Sequence, residues 1–416
     1  MLTPSRGAAL SLPFLLILAC SNSDGGTPTA DDAGPDALAD DTGDGVDGST
    51  DAPMDARGDA PSDGPRDSAV DAPVDVTPDA PATPAVRFIG RFDRTDPAVP
   101  RFAWPGSAIV AHFSGTQVTL KLREAGNNQY DVSIDGKAPT VLIPTSAKTD
   151  YLLASGLSAG EHDVVVFKRT ESFAGADAFV GFDFGAGGAL LPPRPAAAHH
   201  VEMIGDSITC GYGVEGASAT CPFSVDTENH ALAYGALAAR DLGAEEIAIA
   251  YSGKGVVRDY GGSTVDPMGV LYDRTLAEDA ASTWDFSSWS ADVVLIDLGT
   301  NDFASGDPGA STFTAAYRAL VAKVRSHYPS AHIYCEIGPM LSDSYPVGAS
   351  SLTKARTYIT SVVSALNGGG DTKVHLLEFA EQVSSDGYGC DYHPSRVTQR
   401  KMADVVVAAV RKDTGW

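Results

Sequence analysis

Several things are scarce in this 416-residue chain, and each scarcity removes a class of function. Basic residues are few: 29 lysines and arginines stand against 54 aspartates and glutamates, for a formal charge of −25. Residues 81–416 alone carry −12, which argues against nucleic acid as a partner. The mostly apolar run Ala8–Ala19 is too short to span a bilayer. The five cysteines include no short Cys-x-x-Cys pair, so a zinc site has no framework. Between Ser21 and Ala80 there is no aromatic residue and no glutamate, and hence little to bury.

What is present in that stretch is aspartate. Residues 21–80 hold sixteen aspartates against two arginines, Arg57 and Arg66, with alanine, proline, glycine, serine and threonine between them. Such a segment cannot offset the entropy of ordering, and its like charges and prolines keep it extended. Residues 21–82 are therefore expected to be a disordered acidic linker. The aspartate spacing matches no calcium loop. Ahead of it, residues 1–20 read as a secretory signal, with Arg6 before the apolar run. Its ending, Ile17-Leu18-Ala19-Cys20, resembles a bacterial lipobox. Cys20 is thus the expected lipidation site, and the protein an exported lipoprotein anchored to a membrane without a spanning helix.

The other four cysteines, Cys210, Cys221, Cys335 and Cys390, are an even number in an exported chain and suggest disulfides. Three pairings are open. Cys210–Cys221 would pin the loop after Ser207, and Cys335–Cys390 would fasten the loop before His393; these two are the expected bridges.

Two globular parts follow the linker. In residues 83–190, short runs such as Ala108–Phe113, Gln117–Leu122, Tyr130–Ile134 and Asp163–Phe167 alternate or stay apolar over four to six residues. Turn signals at Ser114-Gly115, Asp135-Gly136 and Ala159-Gly160 separate them, and no helical period persists. The pattern predicts an all-β sandwich of jelly-roll type. After a proline-bearing linker at Leu190–Ala198 the rhythm changes. Strands are predicted at His200–Ile204, Glu246–Ala250, Asp292–Leu298, His332–Ile337 and Lys373–Phe379. Helices are predicted at Asn229–Leu242, Thr312–His327, Leu352–Leu366 and Thr398–Lys412, the last turning Val405, Val406, Val407 and Val410 toward the sheet. Alternation of this kind implies an α/β domain over 199–416, a parallel sheet between two helical layers, with its site beyond the carboxyl ends of the strands.

Three clusters fall there: Gly205-Asp206-Ser207-Ile208-Thr209, Gly299-Thr300-Asn301-Asp302 and Asp391-Tyr392-His393-Pro394. Ser207 is the candidate nucleophile, although a serine at that place also caps a helix. His393 is the candidate base, and Asp391 the candidate acid to hold its imidazole. An oxyanion needs donors already aimed at it. Asn301, the Ser207 N–H and Gly253, in the turn Tyr251–Gly255, are the candidates. That turn lacks the spacing of a P-loop. Trp104, Tyr260 and Trp289 are candidate sugar platforms, each of which could equally be core or rim packing.

Together the Gly-Asp-Ser block, the glycine after the second strand, Gly-Thr-Asn-Asp and the late Asp/His block resemble the SGNH (GDSL-type) hydrolases. In that superfamily an aspartate usually stands three residues before the histidine; here Cys390 does, and Asp391 stands two before. This arrangement is similar to carbohydrate esterase family two, in which some members work with a Ser-His dyad. Phe102–Ser107, Asp135-Gly136 and Lys168–Glu171 resemble that family's amino-terminal jelly roll, and Gly211-Tyr212-Gly213 its catalytic part. The resemblance implies an exported esterase that removes acetyl groups from xylan or mannan, with a preference for sugar O-6, and works without metal or cofactor. It leaves open a non-catalytic glycan-binding lipoprotein and an esterase for another exported acyl ester. It does not address oligomeric state.

Overall fold

The computed structural model describes Thr83 and residues 85–416. The signal segment, Cys20 and the acidic linker lie outside the described residues. No helix among the described residues is long and apolar enough to cross a membrane.

Four strands dominate the first domain: β1 (Ala108–Arg123), β2 (Tyr130–Ile134), β3 (Asp150–Lys168) and β4 (Asp177–Asp183). They belong to one hydrogen-bonded network of nine strands, and its pairings are antiparallel. Alternate residues point inward, so Ile109, Ala111, Phe113, Leu120, Tyr130, Val164 and Val166 form a sealed core. Two of the three expected turns are not turns. Ser114-Gly115 and Ala159-Gly160 lie inside β1 and β3, where Gly115 pairs with Gly160 and the register slips beside them. Both glycines have positive φ, 143° and 153°, which lets the ladder bulge and continue. The third is a real hairpin: Asp135 and Gly136 both have positive φ, 55° and 68°, and the Lys137 N–H closes onto Ile134 O at 3.1 Å.

The second domain contains β5 (His199–Gly205), β6 (Ala244–Ala250), β7 (Val293–Asp297), β8 (His332–Ile337) and β9 (Val374–Glu378), in the order β6-β5-β7-β8-β9 and all parallel. A parallel sheet covered on both faces needs continuously apolar strands, and all five residues of β7 are buried. Helices α1 (Ser207–Cys210), α2 (Tyr234–Leu242), α3 (Thr300–Ala304), α4 (Ala310–His327), α5 (Ser351–Gly368) and α6 (Arg396–Thr414) fill the connections. Tyr234 and Ala238 of α2 pack with Met402, Val406 and Val410 of α6 against Val201, Met203 and Leu295. Tyr317 and Leu320 of α4 and Ile359 and Val362 of α5 cover Ile204, Ile296 and Ile333 on the other face. Val405 is exposed, because its neighbours Val406 and Val407 already occupy the inward arc of α6. The strand order reverses at β5, and ligands gather at such a switch point.

The first domain reaches into the second. Trp104 is sealed in the hydrophobic cluster of the α/β domain, 1 % exposed. Arg91, wholly buried, donates to the Arg274 carbonyl and pairs with Glu202, its guanidinium lying over the Tyr272 and Phe286 rings. A buried charge of this kind is tolerated only with such partners.

Candidate active site

Strand β5 ends at Gly205, where any Cβ would stand 2.0 Å from the Thr209 hydroxyl oxygen; only glycine allows the chain to turn so tightly. Asp206 caps α1 by accepting the Ile208 N–H at 3.0 Å. That leaves Ser207 as the first residue of α1, 7 % exposed, with its hydroxyl facing a cavity of about 470 Å³.

His393 arrives from the loop before α6. Its Nε2 lies 2.8 Å from Ser207 Oγ. A hydroxyl hydrogen-bonded to an imidazole is the arrangement a nucleophile and its base require. Burial pushes the His393 pKa down to about 4, opposed by the Cys390 carbonyl and by Asp391. The imidazole is therefore neutral at ordinary pH and able to take a proton.

The acid expected behind it is not there. Asp391 has a φ of 51°, which swings its carboxylate away from the imidazole. It accepts instead from Tyr212 Oη at 2.8 Å and Phe223 N–H at 3.1 Å. The Nδ1 of His393 meets the Cys390 carbonyl at 3.2 Å. A carbonyl can fix the tautomer and ring orientation, as a carboxylate would, but without its full charge. The Tyr212 ring packs on the imidazole, centroids 4.1 Å apart, and on Phe223 behind it.

The cysteine pairing is also corrected. Cys221 is bonded to Cys390, while Cys210 and Cys335 are free and buried. Cys335 sits mid-strand in β8 between Ile296 and Leu376, in the core, where it cannot meet the histidine loop. Cys390 instead meets the segment after α1. Cys390 N–H donates to Gly213 O, Asp391 N–H to Cys221 O and Tyr392 N–H to Ala219 O, so bridge and ladder reinforce each other.

Asn301, second residue of α3 and 6 % exposed, donates its amide to Asp206 Oδ2 at 3.0 Å and to Lys254 O at 2.9 Å. Burial, and then the charge of Asp297, push the Asp206 carboxyl well above its ordinary range, which favours its neutral form and weakens it as an acceptor. An incoming oxyanion would compete for that proton of Asn301. Gly253 lines the same cavity, in the loop after β6. Asp302 holds that loop by accepting the N–H groups of Val256, Val257 and Arg258 at 2.7–3.1 Å.

Of the three aromatic candidates, only Tyr260 borders the cavity, 58 % exposed. Trp104 is core. Trp289 packs on His200 and Tyr328 near the start of β5, at the opposite end of the sheet. The cavity also takes in Phe303, Met340, Leu341 and the exposed Tyr345, which no motif in the sequence marks. Tyr345 lies in a loop with no hydrophobic period, so nothing local marked it.

Residues 88–194 match the model of the carbohydrate esterase 2 amino-terminal domain, and residues 203–401 that of the GDSL-like lipase/acylhydrolase family. The cellulase/esterase CelE of Acetivibrio thermocellus is 39 % identical over 333 residues, or 80 % of this chain; the chain spans 40 % of that larger protein. An acetylxylan esterase/glucomannan deacetylase of Cellvibrio japonicus is 30 % identical, over 76 % of this chain and 86 % of its own length. A solved family two carbohydrate esterase from Clostridium thermocellum, in complex with cellohexaose, is 39 % identical over 80 % of this chain and all of its own, with a TM-score of 0.76. The likeness runs through both domains, and on that ground the chain belongs to family two of the carbohydrate esterases.

Proposed function

We propose that this protein removes O-acetyl groups from polysaccharides of the xylan or mannan type by an acyl-enzyme mechanism on a Ser207–His393 dyad. The observation that carries the proposal is the 2.8 Å contact between His393 Nε2 and Ser207 Oγ at the floor of an open cavity. Ser207 Oγ attacks the acetyl carbonyl carbon as its proton passes to His393 Nε2. The oxyanion takes hydrogen bonds from the Ser207 and Gly253 N–H groups and from Asn301 Nδ2. The imidazolium returns its proton to the departing sugar oxygen, leaving acetyl-Ser207. A water molecule, giving a proton to the same imidazole, then attacks the acetyl carbon; the bond to Ser207 Oγ breaks, the imidazolium returns its proton to Oγ, and acetate leaves. The Cys390 carbonyl steadies the ring throughout, and Asp391 acts at one remove by holding Tyr212 against it.

The substrate class is supported by the relatives' names and by the site itself. Tyr260 and Tyr345 present exposed rings at the cavity that holds Ser207, an arrangement suited to a sugar whose ester points inward. O-6 remains the position of choice within this reading. The first domain, read as a jelly roll, forms part of the scaffold of the site. Export and lipidation at Cys20, with residues 21–82 as an acidic tether, complete the proposal. Replacing Cys20 with serine should move the protein from the membrane to the soluble fraction.

The test of the chemistry is acetate release from acetylated xylan and acetylated glucomannan, beside a Ser207→Ala control. Release that the control abolishes supports the proposal. Cleavage of an aryl acetate alone would keep the dyad and reject the glycan. No release from any ester would favour a glycan-binding protein.

A further inference from the structure

The loop that carries Gly253 is held from the first domain. Glu171 follows β3, on a short segment of that domain, and is wholly buried. One of its carboxylate oxygens accepts the Ser252 N–H at 2.6 Å, and the other accepts the Ser252 hydroxyl. Ser252 is thereby gripped at both of its donors, immediately before Gly253. Glu171 is itself fixed: its N–H donates to Glu228 Oε2 at 3.1 Å, and its carbonyl accepts Lys168 Nζ at 3.0 Å. Lys168 and Glu228 are also wholly buried, and the Cys210 thiol completes the cluster.

Two buried carboxyls side by side cannot both be ionised cheaply. Burial raises both, and Glu228 carries the further penalty of facing the Glu171 charge. Glu228 is therefore the readier of the two to take a proton, while the geometry makes Glu171 the acceptor of both Ser252 donors. Its charge is balanced by the ammonium of Lys168 rather than by solvent.

We propose that Glu171 is a positioning residue for catalysis, which sets the Gly253 N–H on the oxyanion by clamping Ser252 through both carboxylate oxygens. The first domain is then part of the catalytic apparatus through one side chain. This rests on the oxyanion role given to Gly253 above. A misplaced donor weakens the transition state more than the ground state, so the signature is a fall in kcat with KM little changed.

The experiment uses the full chain with an aryl acetate, measuring kcat, KM and inhibition by an alkyl boronic acid, which makes a tetrahedral adduct on Ser207. Glu171→Ala should lower kcat by about 30- to 100-fold, with KM within about threefold, and weaken boronate inhibition by a similar factor. Glu171→Gln, whose amide can accept from the Ser252 N–H and donate to its hydroxyl, should recover kcat to within about fivefold of the native protein. Should Glu171→Ala fail to fold, Glu171→Asp, which draws the carboxylate back by one methylene, takes its place with the same expectation. Unchanged kcat and boronate affinity in Glu171→Ala or Glu171→Asp, with Ser207→Ala inactive, would overturn the clamp and leave the esterase standing. A Ser207→Ala protein that still turned over would overturn the dyad itself.

Discussion

Two of the loops that line the cavity are held largely by different means. The loop after β6 is held by side-chain acids: Glu171 on Ser252, and Asp302 on three successive N–H groups from Val256 to Arg258. The loop before α6 is held by backbone and a covalent bond: the Cys221–Cys390 bridge, and a ladder onto Gly213, Ala219 and Cys221. One loop carries an oxyanion donor and the other carries the base. The lesson is that a carboxylate near a catalytic residue need not serve it directly. The acids brace the donor loop, whereas the one acid beside the histidine braces the Tyr212 ring and the Phe223 N–H.

That contrast can be broken in four places. Asn301→Ala removes both a donor and the tie to Lys254 O, and kcat should fall by about 10²- to 10³-fold, read by steady-state kinetics on an aryl acetate. A loss below tenfold would remove Asn301 from the oxyanion site. Cys221→Ser should act on the base loop alone. We expect kcat to drop about tenfold and stability to fall by about 2–5 kcal/mol in denaturant titrations, since the bridge closes a long stretch of chain. If thiol titration of the native unfolded protein found no disulfide, the bridge itself would be wrong.

Asp391→Asn keeps an acceptor for Tyr212 and Phe223, so kcat should change by no more than about threefold. A triad aspartate changed in this way costs about 10⁴-fold, and a loss of that size would restore Asp391 to the imidazole. The smallest effect is one of pH. His393 is competent only when neutral, and its pKa is lowered to about 4, so kcat/KM should be nearly flat from pH 7 to pH 5 and fall only as pH drops through about 4. An ordinary imidazole with a pKa near 6.5 would lose about 25-fold over the same interval. Stability falls in the same direction but over a higher pH window. The unfolded chain protonates this histidine first, so its contribution is lost as pH falls from 6.5 toward 4.

Much of the fold was legible because parallel strands and amphipathic helices are written in local periodicity. All five strands of the α/β domain and its four long helices lie where the pattern put them, with ends moved by a few residues and the short helix at His230–Leu232 separated from α2. The glycines at 115 and 160 misled because a glycine with positive φ serves a bulge as well as a turn, and only the partner strand decides which. Trp104 misled for a similar reason: a tryptophan in a loop can face solvent or a second domain. Glu171 went unassigned because its partner is 81 residues away.

By itself the sequence determined the order of strands and helices, the place of Ser207, Asn301 and His393 at strand ends, and the family resemblance those blocks carry. These depend on local pattern and on residue identity, which the chain holds without folding. Tertiary structure alone decided that Cys390 meets Cys221, that Asp391 turns to Tyr212, and that Glu171 grips Ser252. Each of those depends on which side chains come within about 3 Å after both domains have packed, and a hydrogen bond or disulfide tolerates little error in that distance.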